Sequence, residues 1–260
     1  MTRFLRVLAS IGVLLVVILP FLWVVMNSLK TGSKIISEPF ALPESIQFQN
    51  YVQAWVKSKF GTYFWNSLLT VLGTLGILIP VSAMAAYVLA KFPFRGSNLL
   101  LSTFSIGMMI PQFLTIVPLF LLAQQLHLYD SRIGLILIYV AYSLPFTIFV
   151  LHGFFQELPN ELMESAALDG ASHSRTFWRV MLPLAKPGLL VALIFNVIGL
   201  WNEYNLALVL ISSEEKSTLP LGIARIDAGD EWVHHVRDDL VAEPTPDQGR
   251  HRFILGASHG

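Results

Sequence analysis

Gln156–Pro187, QELPNELMESAALDGASHSRTFWRVMLPLAKP, lies between two apolar runs, Ile133–Phe155 before it and Gly188–Ile211 after it. Each run is long enough to cross a hydrocarbon core of ~30 Å as a helix. In lipid every backbone amide needs an internal partner, so only helices and closed barrels span. Neither run shows the period-2 alternation of a barrel strand, so both read as helices. The polar stretch is then a structured loop between membrane helices. Pro159 suits the first turn of a helix. Leu162, Met163, Ala166 and Ala167 recur at helical spacing as an apolar stripe, with Glu161 and Glu164 alongside. Gly170 fits the left-handed residue that ends such a helix. Ser172 can cap a second helix carrying Phe177, Val180, Met181, Arg175 and Arg179, which Pro183 is expected to stop. A hairpin of this kind fits a docking surface for a partner protein, or an interfacial helix resting on lipid.

Outward from the loop the membrane pattern continues. Further apolar runs lie at Val7–Met26, Ser67–Ala90 and Leu99–Leu122, which makes five apparent spans. Of the 260 residues 54% are hydrophobic and only 13% charged, against roughly 25% charged in soluble domains. An all-α membrane protein is the expected class. Net formal charge is zero, so there is no electrostatic case for nucleic acid. Cysteine is absent, which removes disulfides and thiolate chemistry. Arg3 and Arg6 precede the first run, and no small-x-small site follows it, so an uncleaved helix is expected. Prolines 20, 80, 111, 118 and 145 interrupt the spans, as membrane bundles tolerate. Pro111 and Pro118 share a face of the third span, which fits either a bent helix beside a cavity or simple packing. With the N-terminus inside, seven basic residues face the cytoplasm against six outside, which is little help in orienting the chain.

Glu164-Ser-Ala-x-x-x-Gly170, nine further residues and Val180-x-Leu182-Pro183 resemble the EAA signature of ATP-binding-cassette (ABC) importer permeases. That signature reads E-A-A, three free positions, G, nine free positions, I-x-L-P. Ser165 and Val180 are its two conservative departures. The resemblance implies the helical bundle of an ABC importer permease domain. It also implies that Glu164, Ala166, Asp169, Gly170, Leu182 and Pro183 belong to coupling helices that dock on a cytoplasmic ATPase, with Glu164 as the contact. Loop and N-terminus would then be cytoplasmic. Asn27-Ser-Leu-Lys30, Asn66-Ser67, Ala85-Ala-Tyr-x-x-Ala-x-Phe-x-Phe-Arg-Gly96 and Trp201-Asn-Glu-Tyr204 resemble the smaller, maltose-type permease subunit of the carbohydrate-uptake class.

Glu203 lies well inside an apolar run and should face protein or water. It shares a face with Asn196 and Gly199, which could line a translocation path, contact a partner permease or, for Glu203, anchor the outer interface. No phosphate-binding G-x-x-x-x-G-K-[ST] or H-E-x-x-H occurs. No cofactor or metal is therefore expected on this chain, and ATP would be hydrolysed by a partner subunit. The expected partners are ATPase subunits, a second permease, an extracytoplasmic solute-binding protein and lipid, in a bacterial or archaeal inner membrane. Inverted repeats and deep ionisable residues, which a secondary transporter needs, are not found beyond Glu203. The family resemblance implies six spans. Residues 1–224 read as the permease domain, with the coupling loop at 156–187. Residues 225–260 read as a polar tail, disordered or out of frame, whose His234, His235, His251 and His259 match no usual zinc spacing.

Overall fold

The computed structural model describes residues 2–228, and every regular element among them is helical. The expected tail at 229–260, with its histidines, lies outside the described residues. The chain divides into two contact units, one ending at Gly61 and one beginning at Thr62.

In the first unit, α1 (Thr2–Ser28) is an apolar helix whose side chains from Phe4 to Val25 are all exposed within the chain. Such a helix is covered only by lipid or by another chain. Two short helices follow, α2 (Gly32–Ser37) and α3 (Gln49–Val56). The Asn27–Lys30 motif is the C-terminal closure of α1. Lys30 is buried and donates to Asn27 Oδ1 at 3.0 Å and to the carbonyls of Glu38 at 2.9 Å and Pro39 at 3.3 Å. Asn50 Nδ2 donates to the Ser28 and Lys30 carbonyls at 2.9 and 2.8 Å. Helix ends leave carbonyls without intrahelical partners, and a cation there also meets the negative end of the helix dipole.

The second unit is built on α4 (Phe60–Lys91) and α7 (Arg132–Glu157), both long and apolar enough to span. Between them come α5 (Ser97–Gly107) and α6 (Gln112–Gln125), which meet at 102°. The third span is thus not one kinked helix but two segments joined around Met108–Pro111. Pro111 is extended (φ −60°, ψ 133°) and precedes α6, whereas Pro118 sits inside α6 without breaking it. A cavity of about 360 Å³, lined by Gly107, Met108, Ile110, Tyr142 and Pro145 among others, lies at that corner. The bend falls just before Pro111, and neither Pro111 nor Pro118 is among the residues that line the cavity.

After the loop come α11 (Lys186–Trp201), α12 (Asn205–Leu210) and α13 (Leu219–Ala228). The fifth span, expected to run to Ile211, stops at Trp201. At 1.5 Å per residue the 16 residues of α11 reach about 24 Å, less than the hydrocarbon thickness. Among the described residues, three helices are long and apolar enough to cross, or up to five spans if each bent pair counts as one. In lipid, helices associate through close packing rather than expulsion of water. Gly188 is such a contact: a Cβ there would stand 2.4 Å from the Phe154 ring of α7.

Candidate functional site

The loop is built from the end of α7. Leu158 turns extended, and α8 (Glu161–Leu168) starts two residues after Pro159 rather than at it. Glu161 and Glu164 occupy its first turn, where the helix dipole favours negative charge. Gly170 has φ +75°, and Ala171 N donates back to Ala166 O at 2.9 Å, the closure expected of a left-handed glycine end. Ser172 Oγ accepts from Arg175 N at 3.4 Å and opens α9 (His173–Thr176).

Pro183 does not stop this second helix. The chain widens to a π-helical turn at Phe177–Met181, continues through α10 (Leu182–Leu184), and bends by 73° only at Ala185 before entering α11. Proline has no N–H for the carbonyl four residues earlier, and the widened turn ahead of it absorbs that defect.

One face of the hairpin is a seat. Phe177, Met181 and Ala185 are buried in a cluster with Ala86 and Tyr87 of α4 and Leu151 and Phe155 of α7, and Leu162, Met163 and Leu182 pack against it. The Tyr87 ring meets Phe177 at 5.1 Å and Phe155 at 5.6 Å. The Ala85–Gly96 motif is therefore the surface on which the loop rests. Lys91, at the end of α4, completes the attachment by donating to Leu158 O at 2.5 Å and Asn160 Oδ1 at 2.9 Å.

The other face is bare. Glu161, Glu164, Asp169 and Gly170 are exposed, and so is Ala167, which the periodicity had placed on the apolar stripe. Leu168, absent from the sequence candidates, is 89% exposed at the tip of α8. An apolar residue just before Asp169-Gly170 was the available signal. Of the six expected loop residues, Ala166 is buried, Leu182 is half-buried against the cluster and Pro183 is exposed.

Asn196, Gly199 and Glu203 do come together, lining one cavity of about 120 Å³ with Gln112, Tyr139 and Ser143. Asn196 is buried and ties α11 to α7 by donating to Thr147 Oγ1 at 2.9 Å. Glu203 lies in the break between α11 and α12 and accepts from the backbone N–H groups of Leu206 at 2.7 Å and Ala207 at 3.2 Å, capping α12. Gln112 Nε2 at 3.1 Å and Tyr139 OH at 2.5 Å donate to the same carboxylate. Those two donors were not among the sequence candidates.

Residues 78–230 match the family described as binding-protein-dependent transport system inner membrane component, a stretch that contains both sites. The chain belongs to that family. It is similar to the diacetylchitobiose uptake system permease protein NgcG of Streptomyces coelicolor, with 45% identity over 80% of this chain and 69% of that protein. It is also similar to the trehalose transport system permease protein SugB of Mycobacterium tuberculosis, 34% identical over 83% of this chain and 78% of that one. Its fold resembles a solved bacterial ABC transporter involved in the import of the acidic polysaccharide alginate, with a TM-score of 0.70, 24% identity, and coverage of 97% of this chain and 86% of that one.

At the end of the permease bundle away from the loop, polar side chains hold the segment between α12 and α13. Asn66 Nδ2 donates to the Glu215 and Ser217 carbonyls at 2.7 and 3.0 Å, Ser67 Oγ accepts from Leu219 N at 2.7 Å, and Arg132 bonds Asn66 Oδ1. The Asn66-Ser67 motif is thus a clasp on that segment. Asp130, at φ +50°, pairs with Lys216 at 2.8 Å and accepts from the amides of Ser212 and Ser213 at 2.9 and 2.8 Å. Burial alone would raise its pKa. The bonds from Lys216, from the Ser213 hydroxyl and from the two amides outweigh that and bring it down to about 2.

An unfolded aspartate titrates near ~3.9, so this stabilisation is complete above that pH and lost as pH falls from about 4 toward 2. Asp130→Asn should melt earlier than wild type at pH 7 in detergent, and the gap should close by pH 2. A gap that stayed constant over that window would show that the carboxylate charge is not what holds the segment.

Proposed function

We propose that this permease carries a sugar across the cytoplasmic membrane as part of an ATP-driven importer, and that the Glu161–Leu184 hairpin is where a separate ATPase drives it. The carrying observation is the two-sided hairpin: one face packed on α4 and α7, the other presenting Glu164, Leu168 and Asp169 unpartnered at a left-handed turn. A segment attached on one side and bare on the other is suited to receive a push and pass it to the bundle. Sugar as the class of solute is supported by the relatives named for diacetylchitobiose and trehalose. On this reading the hairpin and the N-terminus are cytoplasmic. The assembly contains a second permease, two ATPase copies and an extracytoplasmic solute-binding protein. Closure of the ATPases moves the hairpin, and α4, α7 and α11 follow through the Tyr87 cluster and the 73° bend at Ala185.

The experiment is co-expression with the ATPase and permease encoded beside it, purification in detergent, and uptake of radiolabelled diacetylchitobiose or trehalose by reconstituted vesicles. Wild type should retain the ATPase, and Glu164→Lys should retain much less of it, because the substitution reverses the charge at the exposed face. If wild type fails to retain the ATPase, or Glu164→Lys retains it undiminished with uptake intact, the proposed coupling role falls. ATP-dependent uptake of neither sugar by a complex that hydrolyses ATP would leave the importer and remove these solutes.

A further inference from the structure

The third and fifth apolar runs are each interrupted, at the α5–α6 corner and in the α11–α12 gap, and both interruptions meet the same carboxylate. The corner between α5 and α6 ends at Gln112, the first residue of α6, and the gap between α11 and α12 contains Glu203. A carboxylate has about four lone-pair sites, and the protein supplies a donor to each. Oε1 accepts from Gln112 Nε2 and Leu206 N, and Oε2 from Tyr139 OH and Ala207 N. The donors come from α6, α7 and the first turn of α12. No acceptor site is left for a solute hydroxyl, although the carboxylate stands in the wall of the 120 Å³ cavity.

The break itself creates the need. Interrupting a helix in lipid frees amide N–H groups that have no water to turn to, and an ionised acceptor satisfies them more strongly than a neutral one. We infer that Glu203 is a positioning residue that, with Gln112 and Tyr139, pins the α5–α6 corner and the α11–α12 gap to α7, so that α6, α7 and α11–α12 move as one body during transport without Glu203 touching the solute. The movement rests on the importer reading of the preceding section; the pin itself does not.

The absence of cysteine makes the test direct. Leu114 on α6 and Ile198 on α11 are 70% and 57% exposed, so a cysteine at each accepts a spin label. In the assembled complex the wild-type distance should stay the same when ATP and vanadate are added. In Glu203→Gln it should shift with nucleotide, because α6 no longer follows α11, and Tyr139→Phe should shift less. Tyr139→Phe loses one hydroxyl and keeps the ring, so it serves if Glu203→Gln does not fold. A merely structural role would broaden the distribution equally with and without nucleotide. A nucleotide-driven shift in wild type, or none in either variant, overturns the inference. If the ATPase does not co-purify, the function proposal falls instead, and the isolated chain decides the pin: Glu203→Gln must broaden the distribution there, and an unchanged distribution refutes it.

Discussion

Gly170→Asp is expected to abolish uptake while leaving the permease folded in the membrane. At φ +75° an L-residue carries a penalty of roughly 1–2 kcal/mol, and aspartate is among those that bear it best. A Cβ at this position would meet nothing within 4 Å, so the bundle itself does not resist the substitution. The cost falls on the partner. A new charge would project from the turn beside Asp169 and on the same bare face as Glu164, where a docked surface has to strip water from it. Gly170→Ala carries the backbone strain without the charge and should lose only part of the activity. Uptake and ATPase retention measured on both variants separate the two terms. Full uptake by Gly170→Asp would remove the turn from the coupling surface.

Lys91→Met should break the link between α4 and the hairpin. The Lys91 ammonium donates to Leu158 O and Asn160 Oδ1, and hydrogen bonds from charged groups contribute ~1.5–3 kcal/mol each. Asn160 does not cap α8 with its side chain, so that oxygen is free to receive the lysine. Met keeps most of the stem's volume and removes the donors. The expected result is a complex that still binds its ATPase, since the bare face is untouched, but hydrolyses ATP with little uptake. Lys91→Arg keeps donors and charge and should recover much of the transport. If Lys91→Met transports as wild type does, the Tyr87 cluster alone transmits the motion.

Physical reasons separate what could be read early from what could not. Gly170 was legible because a left-handed helix end is a local backbone requirement that glycine meets without strain. The apolar stripe was legible except at Ala167, since a helix of eight residues gives the periodicity too few turns to fix its edge. Pro111 and Pro183 were visible as possible breaks, yet one stands at the start of α6 and the other is absorbed by a π-helical turn. A proline states that one hydrogen bond is missing, and the surroundings decide how the chain accommodates it. Lys91 is legible in the sequence only as a basic residue, because its acceptors at Leu158 and Asn160 are far along the chain.

The sequence by itself determined that the chain is a helical membrane protein, that its polar loop carries a glycine-ended hairpin, and that Glu203 needed partners, since each follows from local composition, spacing or the cost of a charge in lipid. Only the tertiary structure decided which partners those were. Gln112 and Tyr139 reach Glu203 from 91 and 64 residues away. The same holds for the 102° corner and for the seat that fixes which face of the hairpin stays bare. Hydrogen bonds and ring contacts between distant segments depend on how helices pack, and packing leaves no period in the chain.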